Sequence, residues 1–189
     1  MKTLIVHPKD STTTFLTGIY KSLSNKTVIT DGMTRKDLRR LMWSHDRIIS
    51  CGHGTINGLC ANDRFIPDPG SGVLWFANVV DDTMVDVLSH KPDSIYIFCD
   101  ADKFIRRNNL RGFYTGFFIS EVEEAEYWGF ENITNEEIDE LNRVFAEIVG
   151  RHINEPIKSL YKNVIQEYGI IAERHPVARY NWERLYFAS

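Results

Sequence analysis

The chain has 189 residues, of which 43% are hydrophobic and 25% charged, and its formal net charge is −4. That length suffices for one domain with a full hydrophobic core. An acidic chain lacks the basic surface typical of nucleic-acid-binding domains, and no apolar run approaches the roughly 20 residues of a membrane span. Three cysteines, after an opening apolar run too short for a secretory leader, indicate free thiols. We expect a cytoplasmic protein that binds neither nucleic acid nor membrane.

Short apolar strands alternate with amphipathic helices in the first part of the chain. Residues 4–6, 27–30 and 47–50 are β-branched runs that predict strands. Between them apolar residues recur at helical spacing, and Thr34 is placed to cap the second helix. This βαβαβ order with short connections predicts an α/β fold of three αβα layers with a mostly parallel central sheet.

The middle of the chain continues the pattern less regularly. Two apolar runs at 64–66 and 73–76 predict a small hairpin or flap, and residues 95–98 predict a fourth strand. A polar loop is expected at 106–109, followed by a fifth strand around 116–119.

The last part of the chain is predicted to be helical. Thr134 and Glu137 have the spacing of a capping box that opens a long helix, and another helix follows Pro156. We expect the helices of residues 134–189 to pack on the same single domain, 1–189, with the aromatic tail docked against it.

A histidine and a cysteine follow two of the predicted strands. His53, flanked by Gly52 and Gly54, comes after the third strand, and Cys99 comes after the fourth. Because ligands bind outside the carboxyl ends of parallel strands, both side chains should lie at one edge of the sheet. A thiol becomes a nucleophile when a neighbouring base favours the thiolate, and glycine lets a backbone N–H approach a substrate carbonyl. The sequence therefore predicts a catalytic dyad of His53 and Cys99, with the N–H groups of Gly54 and Cys99 as the oxyanion hole.

The same residues give the chain a resemblance to a known family. The His53–Gly54 pair after the third strand and Cys99 after the fourth resemble the caspase-like cysteine peptidases, which include caspases, metacaspases, gingipains and CHAT domains (clan CD). Residues 112–125 resemble the fifth strand and following helix of that family, and the likeness covers roughly residues 1–150. The resemblance implies a caspase-like topology and cysteine-dependent hydrolysis of a peptide bond. It also implies a peptide or protein substrate and no cofactor.

One departure from the family pattern leaves two alternatives open. Small residues usually precede the family's cysteine, whereas Phe98 precedes Cys99 here. If the strand ends just before Cys99, that thiol is the nucleophile. If the register places the nucleophile three residues later, Asp102 occupies the position, and the chain is an inactive caspase-like binding domain.

Asp100 and Asp102 also suggest a second chemistry. Two aspartates at the end of a strand are an arrangement that binds Mg²⁺ through carboxylate oxygens for phosphoryl transfer or hydrolysis. The acidic residue expected after the first strand is replaced by His7, unless Asp10 takes its place. The peptidase interpretation requires no metal, and in it Asp100, Asp102 or Glu121 facing the cleft would favour a basic substrate residue. The sequence makes no prediction of oligomeric state.

Overall fold

A computed structural model describes residues 1–62 and 78–189. The hairpin or flap expected at 64–66 and 73–76 lies outside the described residues. The described strands are β1 (Thr3–Val6), β2 (Lys26–Ile29), β3 (Arg47–Cys51), β4 (Gly54–Thr55), β5 (Gly58–Cys60), β6 (Asn78–Val80), β7 (Ile95–Ile97), β8 (Gly112–Thr115) and β9 (Leu185–Ala188). The described α-helices are α1 (Thr17–Tyr20), α2 (Arg35–Trp43), α3 (Val85–Ser89), α4 (Ala101–Arg107), α5 (Val122–Tyr127), α6 (Asn135–His152), α7 (Ile157–Ala172) and α8 (Pro176–Trp182).

Six of these strands form a central sheet in the order β2-β1-β3-β7-β8-β9. All neighbouring strands in it run parallel except the pair β8 and β9. The strands β4, β5 and β6 form a separate antiparallel sheet. After β1 the chain forms β2 on one side and then returns to form β3 on the other. The strand order therefore reverses between β1 and β3, which is the kind of switch point where open α/β sheets bind ligands.

Alternate residues of the strands face two separate hydrophobic cores. Ile5 and Ile49 pack with residues of α1 and α5 to α8, whereas Leu4, Val6 and Ile48 pack with residues of α2, α3 and α4. Successive side chains of a strand point to opposite faces of its sheet, so this alternation places a layer of helices on each side. The predicted α/β fold of three layers with a mostly parallel central sheet is confirmed.

The predicted capping box opens α6. The Thr134 hydroxyl accepts the N–H of Glu137, and the Glu137 carboxylate accepts the N–H of Thr134. These two bonds satisfy N–H groups that the first helical turn leaves without partners. Along α6, Ile138 and Phe145 then pack into the core that also contains residues of α7 and α8. The aromatic tail docks as predicted, since β9 pairs antiparallel with β8.

The fifth strand lies earlier in the chain than the sequence predicts, because β8 ends before residues 116–119. It begins at Gly112, whose φ is 134°, and a Cβ there would lie 2.2 Å from the carbonyl oxygen of Ser94. Only glycine permits this approach. Ile119 is buried, but its N–H and C=O pair with the side chain of Asn181 and not with a strand. Residues 116–119 are apolar because they are buried in a loop.

The polar loop predicted at 106–109 is also shorter than expected, because Arg106 and Arg107 belong to α4. Phe104 and Ile105 of this helix are buried in the core on the α2 side of the sheet. The arginines occupy the last turn, where positive charge complements the helix dipole. Apolar packing on one face therefore extends the helix into a segment that composition alone assigns to a loop.

A histidine between two carboxylates joins the end of α6 to α7. His152 Nδ1 lies 2.7 Å from Glu155 Oε1, and its Nε2 lies 2.7 Å from Glu167 Oε1. Partial burial disfavours the imidazolium, but hydrogen bonds and charges from both carboxylates outweigh it and raise the pKa of His152 above 6.5. A group whose pKa is higher in the folded state contributes its full stabilisation at pH values below its pKa in the unfolded state. This contribution is lost as the pH rises through its pKa in the folded state.

We therefore expect the free energy of unfolding of the wild type to fall as the pH rises above 6.5. In His152→Gln this contribution to the pH dependence should be absent. Urea denaturation at several pH values measures it. His90→Gln is the control, because His90 is bonded to a backbone carbonyl and to no carboxylate among the described residues. The same pH dependence in His152→Gln as in the wild type would contradict the assignment.

Candidate functional site

Four loops meet at the carboxyl-terminal edge of the central sheet, beside the switch point between β1 and β3. They follow β1, β3, β7 and β8, and they contribute Asp10, His53, Cys99 and Ser120. His53 and Cys99 line one cleft at this edge. The structure thus brings together the two residues on which the sequence-based hypothesis depends.

Asp10 holds the ring of His53. Its Oδ1 accepts the N–H groups of Thr12 and Thr13, each at 3.0 Å, in a turn that fixes the carboxylate against the backbone. Its Oδ2 lies 2.9 Å from His53 Nε2, and the hydroxyl of Thr12 lies at the same distance from that nitrogen. Burial opposes the charge of Asp10, but the hydrogen bonds of this turn and the nearby His53 lower its pKa. Asp10 is thus a carboxylate at neutral pH, suited to orient an imidazole and stabilise its protonated form.

Cys99 stands in the turn between β7 and α4. Its Sγ donates to the backbone carbonyl of Phe118 at 3.7 Å. Burial raises the pKa of the Cys99 thiol to about 12 despite that contact, and the carboxylates of Glu124 and Asp100 add to the rise. The next residue, Asp100, has a left-handed backbone with φ of 62°. The resting protein therefore holds Cys99 as a neutral thiol.

The cleft shared by His53 and Cys99 is narrow, with a volume of about 20 Å³, which is room for about one water molecule. Among the described residues, the Cys99 thiol bonds only to Phe118, and the His53 ring bonds to Asp10 and Thr12, so the two are not hydrogen-bonded to each other. A substrate group that reaches both must widen this cleft.

Gly54 has a packing reason to be glycine. A Cβ at this position would lie 2.3 Å from Cδ2 of Phe98, the residue just before Cys99. The loop after His53 therefore packs directly against the turn that carries the thiol. The predicted role of the Gly54 N–H in an oxyanion hole stays a prediction.

The acidic residues predicted to bind substrate lie in three different settings. Asp100 forms an ion pair with Lys103, with Oδ1 and Nζ 2.8 Å apart. Asp102 lies in the first turn of α4 and does not line the cleft of His53. Glu121 lines a second, larger cleft beside it. Among the described residues, no group of three or more His, Cys, Asp or Glu side chains could hold a metal ion, so the magnesium alternative finds no further ligand there.

Iodoacetamide should modify the three cysteines in the order Cys60, Cys99, Cys51. Burial raises the pKa of all three thiols, least for the half-buried Cys60 and most for the fully buried Cys51. At pH 8 we expect Cys99 to react about 100-fold or more slowly than free cysteine, because only the thiolate attacks. Mass spectrometry of timed samples measures each site, and the urea-denatured chain is the control. Labelling of folded Cys99 at the rate of free cysteine would show a preformed thiolate.

The sequence-based hypothesis missed Asp10 as a partner of His53. The local signal is Asp10 followed by Thr12 and Thr13, a pattern typical of a turn in which a carboxylate accepts nearby backbone N–H groups. The pattern predicts the turn but not its contact with a histidine more than 40 positions away. Asn142, which lines the larger cleft from α6, has no sequence signal of this kind.

The fold and the site define an α/β protein with a histidine and a cysteine in one cleft at the switch point of a parallel sheet. Comparisons with protein-family models, curated proteins and solved structures found no match to this chain. None of the described helices is long and apolar enough to cross a membrane.

Proposed function

We propose that this chain is a cysteine-dependent peptide-bond hydrolase with a caspase-like fold. The observation that supports it best is that Cys99 and His53, whose ring contacts the Asp10 carboxylate, line one cleft at the switch point of the sheet. Caspase-like peptidases have their histidine after the third strand and their cysteine after the fourth. Here the corresponding parallel strands are β3 and β7.

The proposed reaction has two stages. In the first, Cys99 Sγ bonds to the scissile carbonyl carbon as its proton passes to a ring nitrogen of His53. The imidazolium, stabilised by Asp10, returns that proton to the leaving amine as the C–N bond breaks, and a thioester remains. In the second, His53 takes a proton from water as the oxygen attacks the thioester. The acid product leaves, and His53 returns the proton to the Cys99 sulfur.

The raised pKa of Cys99 determines when the proton moves. With a pKa of about 12 the thiolate is scarce at neutral pH, so proton transfer to His53 accompanies the attack of sulfur instead of preceding it. His53 is then required for the chemical step itself.

Digestion of a peptide library by the wild type, Cys99→Ala and His53→Ala tests the proposal. We expect cleavage by the wild type, and a loss of about 100-fold or more in each variant. Cys60→Ala is the matched control, because Cys60 does not line the cleft, and its cleavage should equal that of the wild type. Cleavage that survives Cys99→Ala would show that this thiol is not the nucleophile.

The neutral thiol and the narrow cleft favour a second candidate, a caspase-like binding domain without catalysis. In that case Cys99 is a small, partly buried side chain whose thiol bonds to the backbone carbonyl of Phe118. The library separates the two candidates, because a binding domain cleaves no peptide. If the chain is a binding domain, iodoacetamide should also label Cys99 at the same rate in the wild type and in His53→Ala.

A further inference from the structure

Cys60 lies directly opposite His53 across the β4–β5 hairpin. Its N–H donates to the carbonyl of His53 at 2.9 Å, one position beyond the antiparallel pairing of Gly54 with Leu59. Residues that face each other in this way have Cβ atoms about 5 Å apart on the same face of the ladder. Leu59 is buried in the core on the α2 side of the sheet, so the alternation of the strand directs the adjacent Cys60 away from that core, together with His53.

The turn that carries Cys99 packs against the same hairpin. His53 and Cys99 line one cleft, and a Cβ on Gly54 would lie 2.3 Å from the ring of Phe98, the residue before Cys99. Burial is the main cause of the raised pKa of the Cys99 thiol, and Cys60 is close enough for its charge to add to the rise. Two free thiols therefore flank one histidine.

Cys60 is the thiol most open to an oxidant. Burial raises the pKa of all three thiols, but Cys60 is only half-buried and has the smallest rise. Because peroxides oxidise the thiolate, Cys60 should react before Cys99. The Cys99 thiol is held by a weak hydrogen bond to the carbonyl of Phe118 at 3.7 Å, so it can turn towards Cys60 at little cost.

We propose that Cys60 and Cys99 form a disulfide when the chain meets a peroxide. The bond depends on the placement of the two thiols and not on the proposed function. A disulfide needs Cβ atoms about 4 Å apart. Its formation therefore measures how closely the hairpin approaches the turn that carries Cys99.

The oxidation takes place in two steps. The Cys60 thiolate attacks one oxygen of hydrogen peroxide, the O–O bond breaks, and hydroxide leaves and takes up a proton, so that Cys60 becomes a sulfenic acid. The sulfur of Cys99 then attacks the sulfur of Cys60 as its proton passes to His53. The S–OH group leaves as water with the proton that His53 returns. In total the two thiols give two electrons to the peroxide, and a disulfide and two water molecules form.

The disulfide would block the sulfur of the proposed nucleophile. This consequence, unlike the bond itself, rests on the proposed function. The oxidised wild type should cleave no peptide, and dithiothreitol should restore cleavage by thiol–disulfide exchange. Cys60→Ala should keep its cleavage through the same exposure, because Cys99 then has no partner thiol opposite His53.

Peptide mapping of the full chain after exposure to hydrogen peroxide tests the proposal. Free thiols are blocked with N-ethylmaleimide, the chain is digested without reduction, and mass spectrometry identifies the joined peptides. We expect Cys60–Cys99 as the main cross-link in the wild type and in Cys51→Ala, and non-reducing electrophoresis should place it within one chain. In Cys60→Ala the free thiol of Cys99 should disappear about 10-fold or more slowly, because its own thiolate is scarce.

The urea-denatured chain is the control for proximity. Cys51 and Cys60 enclose a much shorter loop than Cys60 and Cys99 do, and a shorter loop closes more often in a flexible chain. The denatured chain should therefore favour the Cys51–Cys60 cross-link, which is the opposite of the result expected for the folded chain.

Three results would overturn the proposal: no cross-link between Cys60 and Cys99 in the folded chain, the same cross-links in the folded and the denatured chain, or equal loss of the Cys99 thiol in the wild type and in Cys60→Ala. The expected cross-link in a chain that cleaves no peptide would refute the hydrolase and leave the disulfide standing. Cleavage that peroxide does not change, together with no cross-link, would do the reverse.

Discussion

Asp10→Asn should reduce kcat of the proposed hydrolase by about 10²- to 10⁴-fold. Asparagine retains an Oδ1 that can accept the N–H groups of Thr12 and Thr13, so the turn should persist. Its amide carries no charge to stabilise the His53 imidazolium. Its NH₂ group also faces Nε2 of His53 where a carboxylate oxygen lay at 2.9 Å, which favours the opposite tautomer of the ring. Asp10 does not line either cleft, so KM should change little.

The measurement is kcat and KM on a peptide selected from the library, with thermal unfolding to verify the fold. Asp31→Asn is the control, because Asp31 follows β2 at the same edge of the sheet but is exposed and does not line either cleft. It should behave as the wild type. An Asp10→Asn variant with unchanged kcat would mean that the contact between Asp10 and His53 does not contribute to catalysis.

Signals between residues close in sequence are sufficient to predict the parallel part of the fold. β1, β3 and β7 are apolar runs because both of their faces are covered by helices. Thr34 and Thr134 cap α2 and α6 through the N–H of a residue three positions ahead. Once the strand order is known, the ends of β3 and β7 place His53 and Cys99 at one edge. The sequence alone therefore predicts that His53 and Cys99 lie at the same edge of the sheet.

Contacts between distant residues account for what the sequence did not predict. Ile119 and Asn181 are 62 positions apart, and their side-chain-to-backbone pairing replaces the strand that the apolar residues 116–119 suggest. The larger cleft beside that of His53 combines residues that follow β1, residues from the loop after β8 into the start of α5, and the first turns of α6. Glu121 could be proposed because it lies two positions after the end of the predicted fifth strand. Nothing in the sequence distinguishes Asp139 and Asn142 from other polar residues of a helix, which usually face solvent.

Asn181→Ala should lower the free energy of unfolding by about 2–5 kcal/mol, since it leaves two buried backbone groups without partners. Oδ1 of Asn181 accepts the N–H of Ile119 at 2.8 Å, and Nδ2 donates to the C=O of Ile119 at 2.9 Å. Asn181 is fully buried and Ile119 nearly so, and water cannot readily replace either bond. Urea denaturation measures the loss. Asn57→Ala is the control, because Asn57 is exposed, and it should change the free energy by less than about 0.5 kcal/mol.

The same substitution should affect both clefts, because Ile119 is followed by Ser120, which lines each of them. At a temperature where Asn181→Ala is still folded, we expect faster labelling of Cys99, whose thiol bonds to the neighbouring Phe118. Loosening of this loop exposes the thiol to water, which lowers the cost of forming the thiolate. A variant with reduced stability but unchanged labelling of Cys99 would show that the loop keeps its conformation without Asn181. In that case the bonds of Ser120 to Glu124 and Asn142 would be sufficient to form the wall between the clefts.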